Sequence, residues 1–457
     1  MNPTKLQAAT ASIAGVQPHA LVFFHYLPPD DVVSAVLIGD LSAGLCERGW
    51  KVTAYPGNRG FGDESTLHAA REIWNGVEIR RVWRPAFRQS SNAGRMLNAI
   101  WMVMRWSLLA LHPRLNPDVV IVGTDPVLSI LAARTWRWFK PNTRIVHWCF
   151  DLYPEAAIAD GILEPRSRLV RLLHPLLKRS YAVCDLIVDI GNCMRERLKA
   201  YGSSARVATV VPWALDEQAV PSPLYQAERR AIFGAAKLGL IYSGSFGRAH
   251  GFEDILALAR AMREDDARFA FSVRGNRTRE LSQAVGPDDS NIYFAPSVPV
   301  EKLQVRLSAA DIHLVSLKEE WTGTVVPSKF FGALAAGRPV LFSGSPDSAI
   351  ARWITELNVG WVLQPGSAQE VAGELRRYAS NPDARDRMNR HCHHVYTTRF
   401  SKRAGLDEWN SELCRLLGPQ ARGRLFAELQ DKSQKQPVHA TASAAGSVAD
   451  ATESELM

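Results

Sequence analysis

Residues 325–340 read Val-Val-Pro-Ser-Lys-Phe-Phe-Gly-Ala-Leu-Ala-Ala-Gly-Arg-Pro-Val, and this stretch decides the fold. Pro327 closes a loop, because proline pushes the residue before it out of the helical region. Ser328 begins a helix of small and apolar residues, and Gly337 stops it. Pro339 and Val340 open a buried strand. A helix N-terminus presents unpaired N–H groups at the positive end of its dipole, which suits an anion such as a phosphate. Lys329 adds a full charge in the same turn. A serine-started helix is by itself no more than a capped helix, so the reading has to widen.

Around this stretch the chain alternates strand and helix. Strands are predicted at 238–242, 269–273, 292–294, 312–315, 340–342 and 360–363, with helices at 252–262, 300–307 and 368–379. The first half shows the same rhythm. Its strands fall at 21–24, 50–55, 77–83, 118–122, 144–150, 186–190 and 207–211, and its helices at 33–48, 96–111 and 169–181. Such alternation predicts parallel sheets, here as two doubly wound α/β domains. Ligands in such sheets sit beyond the carboxyl ends of the strands, so two facing sheets place one cleft between the domains. The predicted divisions are a disordered N-terminus at 1–18, a first domain at 19–215, a linker at 216–232 and a second domain at 233–400. A C-terminal helix at 401–418 and a disordered Ala/Ser/Gln/Lys-rich tail at 419–457 follow.

Composition sets the outer limits. A chain of 457 residues with 46% hydrophobic content supports two or three well-filled domains. Its six cysteines are scattered without CxxC spacing, which implies no disulfide framework and a reducing compartment. The start of the chain lacks the charged and apolar regions of a signal peptide, so a cytoplasmic protein is expected. The net charge is +8. Residues 95–181 alone hold twelve Lys/Arg against six Asp/Glu, together with Trp101, Trp106, Trp136, Trp138 and Trp148. Tryptophan mixed with arginine on apolar helices is the composition of a membrane-interface contact. A buried helix with a basic rim is the alternative. The apolar helix at 96–111, with Arg105 inside it, is too short to span a bilayer. His391-Cys392-His393-His394 lacks a complementary ligand pair at metal spacing. There is no phosphate-binding G-x-x-x-x-G-K-[ST] loop and no nucleic-acid recognition motif.

Five segments, in order along the chain, carry a resemblance. They are HYLPPDDVVSA at 25–35, HWCFDLYPE at 147–155, YSGSFGRAHGF at 242–252, DIHLVSL at 311–317 and the opening stretch. Together they resemble the retaining family-4 glycosyltransferases of the GT-B fold, in the bacterial branch that builds exopolysaccharide, capsule or O-antigen units. The resemblance implies two facing Rossmann-like domains, the first binding an acceptor and the second a UDP- or GDP-linked sugar. It further implies a polyprenyl-linked acceptor, a peripheral place on the inner face of the cytoplasmic membrane, and neither cofactor nor metal.

The residues follow from the matched segments. Ser243, Gly244, Ser245 and Gly247 would let backbone approach the donor diphosphate. Arg248 matches the family's diphosphate-binding arginine, and its forked donors suit phosphate oxygens. Lys329 matches a second cation, with Val326, Pro327 and Ser328 beside it. Asp151 matches the position near the reacting sugar, where it would orient or deprotonate the acceptor hydroxyl; capping of the next helix is its alternative. Glu155 is a candidate for substrate or for pairing with an arginine. Ser34 and Ala35 replace part of a Gly-Gly loop and could still allow backbone contact. The chain departs from the family at His250, where a lysine is usual, and at Gly332, where the ribose-binding glutamate is usual. Glu319 and Glu320 are then either substitutes or a solvated acidic pair. Two other outcomes remain open on the sequence: the same chemistry on a soluble acceptor, or a scaffold that has lost catalysis.

Overall fold

The computed structural model describes residues 17–89, 91–299 and 302–419. The expectations of disorder at 1–18 and 419–457 fall almost wholly outside the described residues.

The first domain is built on an eight-stranded sheet of order β3-β4-β2-β1-β5-β6-β7-β8. Its strands are β1 His19–Phe23, β2 Lys51–Ala54, β3 Arg71–Trp74, β4 Val77–Arg80, β5 Val119–Val122, β6 Arg144–Trp148, β7 Leu186–Asp189 and β8 Arg206–Thr209. All pairings are parallel except β3 with β4. A parallel strand is covered on both faces, and Val119-Val120-Ile121-Val122 is accordingly apolar and buried throughout. The β3–β4 hairpin turns on Asn75 and Gly76, both at positive φ, 47° and 82°. Asn-Gly between strands is a strong two-residue hairpin signal, and it passed unread in the sequence.

Six helices accompany this sheet: α1 Val33–Glu47, α2 Asn92–Leu109, α3 Ala132–Phe139, α4 Glu155–Ala159, α5 Arg168–Tyr181 and α6 Asn192–Leu198. The packing under α2 and α3 is aromatic. Phe23 stacks on Trp106 at 5.4 Å and meets Trp136 at 5.5 Å. The Trp136 indole donates to the Trp106 carbonyl and the Trp106 indole to the Tyr55 carbonyl. Trp106, Trp136 and Trp148 are therefore core residues, fully buried. This corrects the reading of the five tryptophans as one interface: only Trp138 is well exposed, at 82%.

The second domain carries a fully parallel six-stranded sheet, β11-β10-β9-β12-β13-β14. Its strands are β9 Leu238–Ser245, β10 Ala267–Arg274, β11 Ile292–Phe294, β12 Ile312–Ser316, β13 Val340–Ser343 and β14 Gly360–Leu363. Around it lie α7 Gln226–Phe233, α8 Glu253–Ala261, α9 Thr278–Ala284, α10 Leu303–Ser308, α11 Lys329–Ala335, α12 Ala349–Leu357, α13 Ala368–Ala379 and α14 Pro382–Val395. Helix α7 lies in what was read as linker. Its Arg229 pairs with buried Asp311 at 2.7 Å, and Ile232 and Phe233 are buried. The connecting segment is thus shorter than 216–232.

The last described helix, α15 Lys402–Leu417, returns to the first domain. Arg48 donates to Asp407 at 2.6 Å, Arg206 to Glu412 at 2.6 and 3.0 Å, and the Trp50 indole to Asn410 at 2.8 Å. Trp409 packs edge-on against Trp148 at 4.9 Å.

Candidate functional site

The carboxyl ends of β9 and β10 open onto a cleft of about 280 Å3, with His313 and Leu314 of β12 in its wall. Ser243, Gly244 and Ser245 form one wall, and Ser328, Lys329 and Gly332 of α11 another. Gly244 has φ 116°, a conformation that side-chain-bearing residues avoid. A Cβ there would also stand 3.3 Å from Cε of Lys329. Glycine at 244 thus serves both the turn and the lysine. The Ser328 side chain makes no capping bond to α11; it faces the cleft instead of closing the helix as the sequence suggested.

Lys329 is a cation in this cleft, together with Arg274 at the end of β10. Its Nζ sits 5.3 Å above the ring of Tyr242. Burial lowers its pKa from 10.5 to about 8, so it is charged but poorly solvated. His250, which stands where relatives carry lysine, cannot share this task. Its Nδ1 bonds the Ser316 carbonyl at 2.8 Å, and burial, followed by the charge of Lys329, lowers its pKa to about 4. His313 in the cleft wall is lowered to about 4 by burial as well. Both imidazoles are neutral near physiological pH.

Arg248 stands across the domain boundary from Asp160, with Nη1 3.2 Å from the carboxylate. Leu152 donates its N–H to the Thr324 carbonyl at 3.1 Å, and Arg197 donates to the Thr322 carbonyl at 2.5 Å. These bonds hold the 151–160 segment of the first domain against the 248 and 322–324 loops of the second. Asp151 therefore lies on the first-domain side of the boundary. Burial pushes its carboxyl up to about 6, and the nearby Asp125 adds to the shift. Asp125 in turn lies 3.5 Å from Nδ1 of His25. Behind Asp151 is a cavity of about 10 Å3 between His147 and Tyr181, the size of one water. Helix α4 starts after Pro154 with no side-chain cap, so Asp151 does not serve as the helix cap that was its alternative role.

Several expected residues do not reach the cleft. Glu155 accepts a hydrogen bond from the Tyr201 hydroxyl at 2.5 Å, inside the first domain. Ala35 is fully buried because α1 already begins at Val33, which turns position 35 into the core. Asp31 and Val33 line the cleft in place of Ser34 and Ala35. Val326 and Pro327 are buried beneath α11, and Val326 packs near Gly191 of the first domain. Gly247 lies outside the cleft wall, beside Arg248. Glu319 and Glu320 are exposed in a short turn, as a solvated acidic pair would be. Among the described residues no group of three His, Cys, Asp or Glu is placed to hold a metal. His391 and His393 instead bond the carbonyls of Leu357 and Gln218.

Other lining residues were missed. Ser272 and Arg274 line the cleft from the end of β10, where the strand-end rule would have flagged them. Trp213 and Asp216 line it from the interdomain connection, and no local signal marked them.

Two parallel-sheet domains with one cleft at their strand ends define the GT-B class of glycosyltransferase. Residues 34–219 match the model of Glycosyltransferase Family 4. WbjE of Pseudomonas aeruginosa, assigned as a glycosyltransferase, is 28% identical over 292 residues, 62% of this chain and 72% of that protein. WcaI of Escherichia coli K12, assigned as a colanic acid biosynthesis glycosyl transferase, is 31% identical over 142 residues, 30% of this chain and 34% of that protein. HepE of Anabaena, solved with UDP and glucose, shares the fold at a TM-score of 0.61. It is 11% identical, with 87% of this chain and 99% of that chain covered.

Proposed function

We propose that the protein transfers a sugar from a UDP- or GDP-linked donor to a lipid-linked glycan in cell-surface polysaccharide biosynthesis. The observation that carries this reading is Lys329, a desolvated ammonium over Tyr242 at the mouth of a serine- and glycine-lined cleft. A desolvated cation without an anionic partner is unfavourable alone, and a diphosphate would supply that partner. In the proposed step the bond from the sugar's anomeric carbon to the β-phosphate oxygen breaks. The acceptor oxygen bonds to the same face of that carbon. Its proton passes to the leaving phosphate, which departs as the nucleoside diphosphate, so configuration is retained. Lys329 and Arg248 neutralise the departing charge, and this assignment needs no metal. Asp151 holds the acceptor hydroxyl. The polysaccharide assignment draws on the likeness to WcaI, and UDP is favoured over GDP by the HepE complex.

A lipid-linked acceptor sets the site of action at the inner face of the cytoplasmic membrane. Among the described residues no helix is long and apolar enough to cross a membrane, so contact would be peripheral. Calorimetric titration with UDP and GDP tests the donor reading, with Arg248→Ala as control. Micromolar binding of one nucleotide, weakened in the variant, is expected. A folded protein that binds neither would instead be a scaffold, and the enzyme reading would fall.

A further inference from the structure

We propose that α2, α3 and α5 together form a docking surface for an anionic lipid bilayer. The proposal deepens the lipid-linked acceptor reading by identifying the face that would meet the membrane, and it can be tested apart from it.

Helix α2 is apolar on two sides. Its inward side, with Ala99, Met102 and Trp106, is buried in the core. Its outward side carries Leu97, Ile100, Met104, Leu108 and, just past its end, Leu111, spaced three and four residues apart. These five are 42–57% exposed. Spacing of this kind lays them along one stripe of the helix. Single exposed leucines are ordinary on a soluble surface, but a continuous stripe is not. The neighbouring helices extend it, with Trp138 at 82% exposure on α3 and Leu172 at 64% on α5.

The charge on these helices has one sign. Arg95, Arg105, Arg134, Arg137, Arg168, Arg171, Lys178 and Arg179 are their eight Lys/Arg residues, and the three helices contain no Asp or Glu. Among the described residues only Arg137 has a carboxylate partner, Asp185. An apolar stripe flanked by unpaired cations matches a bilayer bearing anionic headgroups. Insertion of the stripe and attraction of the cations act together, where neither alone anchors firmly. A second copy of the chain fits poorly, because it would set two such cationic surfaces face to face. The surface also adjoins the acceptor side of the site. Leu177 and Tyr181 of α5 line the small cavity behind Asp151.

The test is co-sedimentation of the full-length protein with vesicles of phosphatidylglycerol and phosphatidylcholine, against vesicles of phosphatidylcholine alone. Binding to the anionic vesicles is expected at moderate salt, about tenfold weaker on the neutral ones. The pairs Ile100→Glu/Met104→Glu and Arg168→Glu/Arg171→Glu should each lower it by about tenfold. Both pairs should leave nucleotide binding and melting temperature unchanged. Absence of pelleting by the folded wild type overturns the proposal, as does binding indifferent to both pairs. Self-association through α2 without vesicle binding, seen by sedimentation velocity, also overturns it in favour of a protein interface. The vesicles contain no acceptor and no nucleotide, so docking can fail while nucleotide binding stands, and the reverse.

Discussion

Replacing Lys329 with methionine should lower activity and raise stability together. The lysine is held in the cleft at a pKa of about 8 instead of 10.5. That difference corresponds to about 3 kcal/mol of unfavourable burial of the charge. The Tyr242 ring 5.3 Å away offsets about 1 kcal/mol of it. Methionine keeps the stem and removes the charge, so the variant should be more stable by about 2 kcal/mol near neutral pH. For a domain of this size that is about 4–8 °C in melting temperature. The sign with pH follows from the folded value lying below the unfolded one. The burden is full below about 8 and fades as pH rises from about 8 to 10.5, so the variant's advantage should vanish over the same window. Loss of a cation facing a departing diphosphate should cost about 3–4 kcal/mol of transition-state stabilisation, or about 10²–10³ in kcat/KM for the donor. Calorimetric melting between neutral and alkaline pH, paired with donor kinetics, reads both effects. A variant that melts lower and turns over normally would refute the whole argument.

With Asp151 acting as a carboxylate, kcat/KM should fall as pH drops through about 6, the value to which burial raises it; Asp151→Asn should abolish that limb and lower the rate by about 10²-fold or more. The alkaline limb should lie near 8 and disappear in Lys329→Met, which a pH–rate profile of the three proteins checks. Gly332→Ala should stabilise α11 by about 0.5–1 kcal/mol, because the nearest atom to its added Cβ is Leu307 Cδ1 at 3.7 Å; a drop in melting temperature would show the opening to be illusory. Trp106→Ala should cost about 3–5 kcal/mol through the cavity beside Phe23 and Trp136, whereas Trp138→Ala should stay within about 0.5 kcal/mol, as urea unfolding would report.

Much of the fold could be read locally, because a parallel strand covered on both faces advertises itself as a short β-branched run. The 325–340 stretch likewise placed Lys329 at a strand-end cleft before any contact was known. What failed was information held by distant partners. Nothing near Glu155 says that its carboxylate will be taken by Tyr201, and nothing near Asp407 says that it will reach Arg48. The helix start at Val33 was legible, but not the face it buries: Ala35 turns into the core while Asp31 and Val33 line the cleft. The tryptophans failed for another reason. Composition counts aromatic residues on a helix but does not say which face they occupy, and α2 buries Trp106 while its aliphatic side stays outside. Arg274 and Ser272 were available from the strand-end rule and went unused. His250 was legible as a substitution, but only its bond to the Ser316 carbonyl shows that it is a neutral fixture.

The return of α15 to the first domain makes that domain discontinuous, with the second domain inserted between its two pieces. A ribosome releases the chain from the N-terminus, so Trp148 emerges 261 residues before Trp409 and Arg206 emerges 206 residues before Glu412, which cover them. The inserted domain has all its strands by Leu363. It should therefore complete first, although it is encoded second, while the earlier domain waits with one face open. Arrest of synthesis before residue 402 should yield a finished second domain and a protease-sensitive first domain. Both ends of the described chain belong to the first domain, and the second is joined to it by two crossings of the chain.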